Sequence, residues 1–93
     1  MADILLYSTR MCGFCVRAKM LLEEEDIPFR EIDVTFEPEQ RAALVERSGG
    51  QRTVPQIFVG DVHVGGFREL RNLQRSGQLE TLLKEQGVLD RLP

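Results

Sequence analysis

The beginning of the chain carries two β-strand patterns separated by a helical pattern. Residues 3–8 form a nearly continuous apolar run, which is typical of a buried central strand. From Cys12 the apolar residues recur at helical spacing, until the Ile27-Pro28 pair ends the pattern. Residues 29–34 contain β-branched residues in partial alternation, which predicts a second strand. A helix between two strands within about thirty residues is a βαβ unit, so the two strands should run parallel.

A second helix and a hairpin follow the βαβ unit. Pro38 suits the first turn of a helix that should extend to about Arg47. Residues 54–59 predict a third strand, with the proline at its start, where a missing backbone donor is tolerated. The Gly60-Asp61 pair predicts a two-residue turn into a fourth strand at residues 62–64.

Two short helical patterns complete the chain, at residues 67–75 and 79–85, with Gly77 between them. The whole order predicts an α/β protein of the thioredoxin-like fold class. Its sheet should be four-stranded and mixed, a parallel βαβ unit joined to an antiparallel hairpin, with helices on its faces.

Length and charge limit the class of protein. The chain has 93 residues, which is typical of one domain, and we expect that domain to be residues 1–93 with a peripheral tail at 87–93. The net charge of −3 argues against a general nucleic-acid binder, which needs a basic face. The sequence shows no apolar run of about 18 residues and no signal peptide. We therefore expect a cytoplasmic, monomeric globule without membrane or nucleic-acid partners.

The only two cysteines, Cys12 and Cys15, lie where the first strand gives way to the first helix. Free N–H groups at a helix N-terminus favour a thiolate, and Arg10 and Arg17 could add to this effect, so Cys12 is the predicted nucleophile. Cys15 lies one turn further along, where it should be more buried and act as the resolving thiol.

Other interpretations of the cysteine pair are weaker. A disulfide staple closing so short a loop would restrict the unfolded chain very little, and such staples are rare in the cytosol. A zinc site needs about four ligands, whereas the chain offers two cysteines and His63, which we interpret as an ordinary strand residue. A pair of inert core cysteines stays open as an alternative. The C-x-x-C spacing beside a βαβ unit is the pattern of a thioredoxin-like redox site.

Thr53-Val54-Pro55 is a second candidate segment. An X-Pro bond is the natural place for a cis peptide, which would turn the backbone groups of Val54 toward an extended ligand beside the cysteines. A trans proline that merely begins a strand is equally compatible with these residues.

Gly65-Gly66 is a third candidate segment, because two glycines permit close approach of a ligand at the start of a helix. The helix N-terminus suits a carboxylate, and Glu69 in the first turn could receive an ammonium, so together they suit an amino-acid zwitterion. The simpler interpretation is a glycine turn followed by an acid that the helix dipole favours.

In this order and spacing, the motifs resemble those of glutaredoxins, over residues 4–83. The resemblance rests on Tyr7 at the end of the first strand, on C-x-x-C followed by R-A-K, on T-V-P-Q-I-F and on G-G-x-x-E-L. It implies that Pro55 is cis and that a glutathione groove extends from Cys12 past Val54 to Gly66.

The resemblance also implies roles for individual residues. Thr53 would flank the groove, and Val54 would pair its backbone with the cysteinyl unit of glutathione. Arg41, on the second helix, would lie near the glycyl carboxylate.

The γ-glutamyl end of glutathione would be held at the glycine pair. Gly66, Phe67 and Arg68 would present backbone N–H groups to its carboxylate. Glu69 stands where the family usually has aspartate, so the acid is kept with one additional methylene.

The chain departs from the common family pattern at three points. Gly13-Phe14 replaces the usual Pro-Tyr between the cysteines. Thr9 stands where a basic residue is usual, and Arg10 beside it is expected to substitute for that residue in the glutathione groove. Phe67 stands where a second cysteine or a small residue is common.

The implied function is glutathione-dependent reduction of disulfides. Glutathione would be the co-substrate, and the partners would be glutathionylated or disulfide-containing proteins. The main alternative is a [2Fe–2S] carrier, with Cys12 of two subunits and two glutathione molecules as ligands, because Gly13 avoids the proline that disfavours a cluster. A lesser alternative is a redoxin reduced by thioredoxin reductase, but such proteins lack the glutathione groove.

Overall fold

The computed structural model describes residues 4–87. The strands among them are β1 (Ile4–Ser8), β2 (Arg30–Asp33), β3 (Gln56–Val59) and β4 (Val62–Gly65). The helices are α1 (Gly13–Glu24), α2 (Pro38–Arg47), α3 (Phe67–Ser76) and α4 (Gln78–Glu85). The expected first residue of β1, at position 3, and all of the expected tail except Gly87 lie outside the described residues.

The four strands form one mixed sheet in the order β2-β1-β3-β4. β1 and β2 are parallel, with Tyr7 opposite Ile32, as the βαβ pattern predicts. β1 and β3 are antiparallel, with Leu6 opposite Ile57. β3 returns through the turn at 60–61 as the antiparallel β4. The thioredoxin-like arrangement predicted from element order is confirmed.

The central strand β1 contributes to hydrophobic clusters on both faces of the sheet. Ile4 and Leu6 pack with buried residues of α1, α3 and α4 on one face. Tyr7 points to the other face and packs there with Phe58 and with Leu44 of α2. Helices on both faces explain why the β1 sequence is an almost unbroken apolar run.

Two element boundaries differ from the sequence prediction in ways that matter for the site. Cys12 precedes the first helical residue of α1 and has extended backbone angles, so it is the N-cap. β3 begins at Gln56 rather than at position 54, because Pro55 has no N–H to donate to a neighbouring strand. The Val54-Pro55 peptide bond is cis, as the family resemblance implies. Within residues 4–87, no helix combines the length and apolar character needed to span a membrane.

Candidate active site

The two cysteines are paired as a disulfide at the N-terminus of α1, with their Cα atoms 5.2 Å apart. The backbone N–H of Cys15 donates a hydrogen bond to Sγ of Cys12 at 3.1 Å. Cys12 is half-buried, whereas Cys15 is only 1% exposed. The predicted inequality in burial is confirmed, and solvent reaches one of the two sulfurs far more easily than the other.

Helical periodicity explains why Cys15 is hidden. Cys15, Ala18 and Leu22 are the buried residues of α1, and they follow one another at spacings of three and four. Cys12 lies before this apolar stripe, in the loop that connects β1 to the helix. The apolar spacing that packs α1 against the sheet therefore buries Cys15 and leaves Cys12 nearer the surface.

An open cleft of about 730 Å³ lies on one side of the cysteine pair. Its lining brings together seven of the groove residues expected from sequence: Thr53, Val54, Pro55, Gly66, Phe67, Arg68 and Glu69. Cys12 adjoins this cleft, because its Sγ lies 3.8 Å from the carbonyl oxygen of Val54. These seven residues come from the loop before β3 and from the N-cap and first turn of α3, which meet because β3 and β4 form a hairpin.

At the start of α3, the Glu69 side chain hydrogen-bonds back to the glycine pair. Oε1 of Glu69 accepts a hydrogen bond from the backbone N–H of Gly66 at 2.8 Å. Gly65 has a φ of +116°, and a Cβ atom there would lie 2.8 Å from Oε1 of Glu69. The backbone angle at position 65 therefore favours glycine, and a Cβ there would also displace the Glu69 carboxylate. One oxygen of Glu69 is engaged, while Gly66 has its N–H already satisfied.

Two expected groove residues, Arg10 and Arg41, lie apart from this cleft. Nε of Arg10 lies 3.8 Å from a carboxylate oxygen of Asp33, and its guanidinium is 5.0 Å from the centre of the Phe36 ring. Arg10 lines a separate cavity, on the β2 side of the cysteines, that also contacts Cys12 and Cys15. Arg41 donates to the carbonyl oxygen of Arg52 at 3.3 Å and lines neither space. Their roles toward glutathione stay predictions.

The sequence did not predict a chain of hydrogen bonds in the wall of the cleft. Nε2 of buried Gln56 donates to Oγ1 of Thr53 at 3.2 Å. On its other side, Oε1 of Gln56 lies 2.6 Å from Nε2 of His63, whose ring stacks on Phe58 with centroids 4.8 Å apart. With its proton on Nε2, His63 donates to Oε1 of Gln56. The His63 ring thus orients the Gln56 amide, and that amide orients the Thr53 hydroxyl. The pairing of Phe58 with His63 across the hairpin is the signal that could have revealed it.

Charged residues of α1 and β2 line the second cavity. The Ser8 hydroxyl donates to Oε2 of Glu31 at 2.7 Å, and Nζ of Lys19 lies 3.0 Å from the same oxygen. The Ser8 hydrogen bond, together with the Lys19 ammonium, holds the pKa of Glu31 below its usual range. Hydrogen bonds from Thr35 likewise lower the pKa of Asp33. The parallel register of β1 and β2 brings these groups together, which composition and spacing do not indicate.

The glutaredoxin family model matches residues 4–64 of the chain. This chain belongs to the glutaredoxin family. A glutaredoxin of Pseudomonas aeruginosa is 45% identical over 83 residues, covering 89% of this chain and 98% of the relative. The solution structure of glutaredoxin from Brucella melitensis is 48% identical, with a TM-score of 0.77 and 90% of each chain covered. The crystal structure of the buckwheat glutaredoxin–glutathione complex is 32% identical, with a TM-score of 0.82, covering 94% of this chain and 81% of that one.

Glutaredoxin family membership and the paired cysteines together support thiol–disulfide oxidoreductase activity. Across residues 4–87, no group of three or more histidine, cysteine, aspartate or glutamate side chains could hold a metal ion. The [2Fe–2S] alternative takes one protein ligand, Cys12, from each of two chains and its other two ligands from glutathione, so a search within one chain leaves it a prediction.

Proposed function

We propose that the chain is a cytoplasmic glutathione-dependent oxidoreductase that reduces glutathione mixed disulfides and protein disulfides. Cys12 is the nucleophile and Cys15 the resolving thiol. The observation that carries the proposal is the position of Cys12, a half-buried helix N-cap whose Sγ accepts the Cys15 N–H and adjoins the cleft. The glutathione complex of the buckwheat relative supports glutathione as the co-substrate.

The helix N-terminus prepares Cys12 for attack. In the reduced protein the N–H of Cys15 and the partial positive charge of the α1 terminus stabilise a thiolate at Cys12. The thiolate attacks the glutathione sulfur of a mixed disulfide, and a new Cys12–glutathione bond forms as the old S–S bond breaks. The electron pair leaves on the sulfur of the substrate protein, which takes up a proton.

Two routes then regenerate the enzyme. In the first, a second glutathione thiolate attacks the glutathione sulfur bound to Cys12, which releases glutathione disulfide and restores the Cys12 thiolate. In the second, for a protein bound to Cys12, Cys15 attacks Sγ of Cys12 and expels the reduced protein, which leaves a Cys12–Cys15 disulfide. Two glutathione molecules then reduce this disulfide in two exchange steps, restore both thiols and leave as glutathione disulfide. The Cα separation of 5.2 Å lies in the usual disulfide range, so Cys15 closes this bond without movement of the helix backbone.

The cleft offers complementary groups for the rest of glutathione. Val54, whose carbonyl oxygen lies 3.8 Å from Sγ of Cys12, is our proposed backbone partner for the cysteinyl unit. At the far end, Oε2 of Glu69 is available for the γ-glutamyl ammonium, because the hydrogen bond to Gly66 uses Oε1. Since Glu69 already accepts the N–H of Gly66, the N–H groups of Phe67 and Arg68 are the stronger candidates for the γ-glutamyl carboxylate.

A coupled assay tests the glutathione dependence. A small glutathione mixed disulfide is offered with NADPH and either glutathione plus glutathione reductase or thioredoxin reductase alone. We expect NADPH consumption only in the first mixture, since a glutaredoxin potential of about −200 to −230 mV lies close to that of a glutathione pool. Turnover with thioredoxin reductase alone would overturn the proposal in favour of a thioredoxin-reductase-dependent redoxin.

One observation favours the [2Fe–2S] alternative as an additional capability. A Cβ atom at Gly13 would meet no other atom within 4 Å, so the space beside Cys12 is open. A cysteine thiolate at this position is a suitable ligand for iron. Visible absorption after anaerobic reconstitution with iron, sulfide and glutathione, together with a dimeric mass, would support this alternative, and a colourless monomer would dismiss it.

A further inference from the structure

Two arginines and two phenylalanines form a row along the helical wall of the cleft. The guanidinium of Arg17 lies 5.6 Å from the centre of the Phe14 ring on α1. The Phe14 and Phe67 ring centroids are 6.1 Å apart, and the guanidinium of Arg71 lies 5.6 Å from the Phe67 ring on α3. All four side chains line the cleft. We call them the arginine–phenylalanine row.

The positive charge of this row has no acidic partner among residues 4–87. Neither Arg17 nor Arg71 forms a salt bridge within that part of the chain. Nε of Arg71 is buried and has no hydrogen-bond partner among the described residues. The aromatic rings attract the guanidinium groups without neutralising them. The row therefore has an unmatched capacity to bind a carboxylate.

The row also leaves apolar surface exposed to solvent, at the Phe14 ring. Phe14 is 59% exposed although it lies two positions after Cys12. An exposed aromatic ring that lies between the two cysteines in sequence and lines the cleft offers apolar contact to a polypeptide bonded to Cys12.

We propose that the arginine–phenylalanine row docks the polypeptide of the substrate, and that it favours an extended segment with an acidic side chain next to the reacting cysteine. This inference rests on Cys12 as the attacking thiol, as proposed above. Glutathione already has candidate groups for its γ-glutamyl carboxylate in the N–H groups of Phe67 and Arg68, and Arg41, predicted for its glycyl carboxylate, lies outside the cleft. The free charges of Arg17 and Arg71 are thus left for the protein side of the disulfide.

An exchange assay without glutathione tests the docking surface. Peptides of one sequence, with Glu, Gln or Lys beside a single cysteine, carry thionitrobenzoate on that cysteine as a mixed disulfide. The Cys12 thiolate attacks the peptide sulfur, a Cys12–peptide disulfide forms, and thionitrobenzoate leaves with the electron pair of the broken bond. Cys15 then displaces the peptide thiol. The rate of thionitrobenzoate release measures docking even if the enzyme proves not to depend on glutathione.

We expect the Glu peptide to react roughly threefold faster than the Gln peptide, as suits partly exposed ion pairs, and the Lys peptide to react more slowly. The preference should shrink in about 1 M salt, where the screening length falls to about 3 Å. Arg17→Gln and Arg71→Gln should each lower the Glu-to-Gln rate ratio toward one. Arg75→Gln is the matched control, since Arg75 is exposed on the same helix but lines no part of the cleft.

Three results would overturn the proposal. The first is equal rates for Glu and Gln peptides with the wild-type protein. The second is a rate ratio that Arg17→Gln leaves unchanged. The third is an equal slowing of both peptides by Arg17→Gln, which would mean that Arg17 acts on the thiolate of Cys12 rather than on the substrate. If half-buried Arg71 proves necessary for folding, as circular dichroism would show, the exposed Arg17 alone decides the test.

Discussion

The Cys15 N–H donates to Sγ of Cys12 at 3.1 Å, while the Cys15 sulfur lies beneath the surface. The backbone of the resolving residue thus supports the nucleophile, and this contact does not depend on the Cys15 side chain.

Cys15→Ser should therefore keep deglutathionylation of a small mixed disulfide, with a rate within about threefold of wild type, and should accumulate the Cys12–glutathione adduct. Cys12→Ser should abolish turnover, because a serine hydroxyl is not ionised at neutral pH. NADPH-coupled kinetics and intact-protein mass spectrometry measure both outcomes. Activity in Cys12→Ser would show that the two roles are assigned the wrong way round.

Gly65→Ala should destabilise the protein more than Gly50→Ala. Both glycines have similar positive φ values, +116° and +105°, so both substitutions add the strain of an L-residue in this region, about 1–2 kcal/mol. Only at position 65 would the new Cβ meet another group, the Glu69 carboxylate at 2.8 Å. Urea denaturation measures the free energy of unfolding of both variants, and the difference between their losses is the cost of the contact between the new Cβ and Glu69. Equal losses of stability would mean that the Glu69 side chain moves aside freely.

The Ser8–Glu31 hydrogen bond should make stability depend on pH in the acid range. Because the pKa of Glu31 is lowered in the folded protein, its contribution is present above the unfolded pKa of about 4.3 and is lost as the pH falls through the folded value. Glu31→Gln keeps an acceptor for Ser8 but does not titrate. Its stability should fall less than that of wild type between about pH 5 and pH 3, by under about 1 kcal/mol for so exposed a group. An equal loss of stability between the two pH values in wild type and in Glu31→Gln would contradict this prediction.

His63→Phe should weaken substrate binding without removing the chemistry. A phenylalanine can still stack on Phe58, but it leaves Oε1 of buried Gln56 without its donor and frees the amide that orients Thr53. We expect KM for a glutathionylated substrate to rise about threefold, with little change in kcat.

His63→Gln is the matched control for that prediction, because its amide can still donate to Gln56. A KM close to that of wild type is expected for this variant. Equal KM values for His63→Phe and His63→Gln would show that the hydrogen bond has no part in positioning Thr53.

The fold was predictable from sequence because its local signals agree. The apolar run of β1, the helical spacing around Cys15 and the turn at 60–61 each specify one element, and their order leaves few topologies. The bounds of α2, Pro38–Arg47, are those that its proline and its terminal glycines predict. The differences fall at the ends of elements, and at the start of β3 pairing with a neighbouring strand decides the boundary.

The site was predictable only in part. Glycines and prolines indicate special backbone conformations from the sequence alone, so the segments around Val54 and Gly66 could be recognised as candidate binding segments. Long side chains are different, because tertiary neighbours decide where they lie. Arg10, for example, pairs with Asp33 of β2, and local spacing does not indicate a partner on a different element.

The buried position of Cys15 also protects the enzyme from its own chemistry. An exposed, thiolate-forming sulfur is the kind that peroxides oxidise, first to a sulfenic acid and then irreversibly to sulfinic and sulfonic acids. A sulfenic acid on Cys12 would meet the thiol of Cys15 and condense with it to a disulfide and water. Cys15 itself, almost sealed from solvent, is a poor target for the same oxidants. We therefore expect peroxide to convert this protein to the Cys12–Cys15 disulfide, which can be reduced again, and not to the irreversible sulfinic or sulfonic acids.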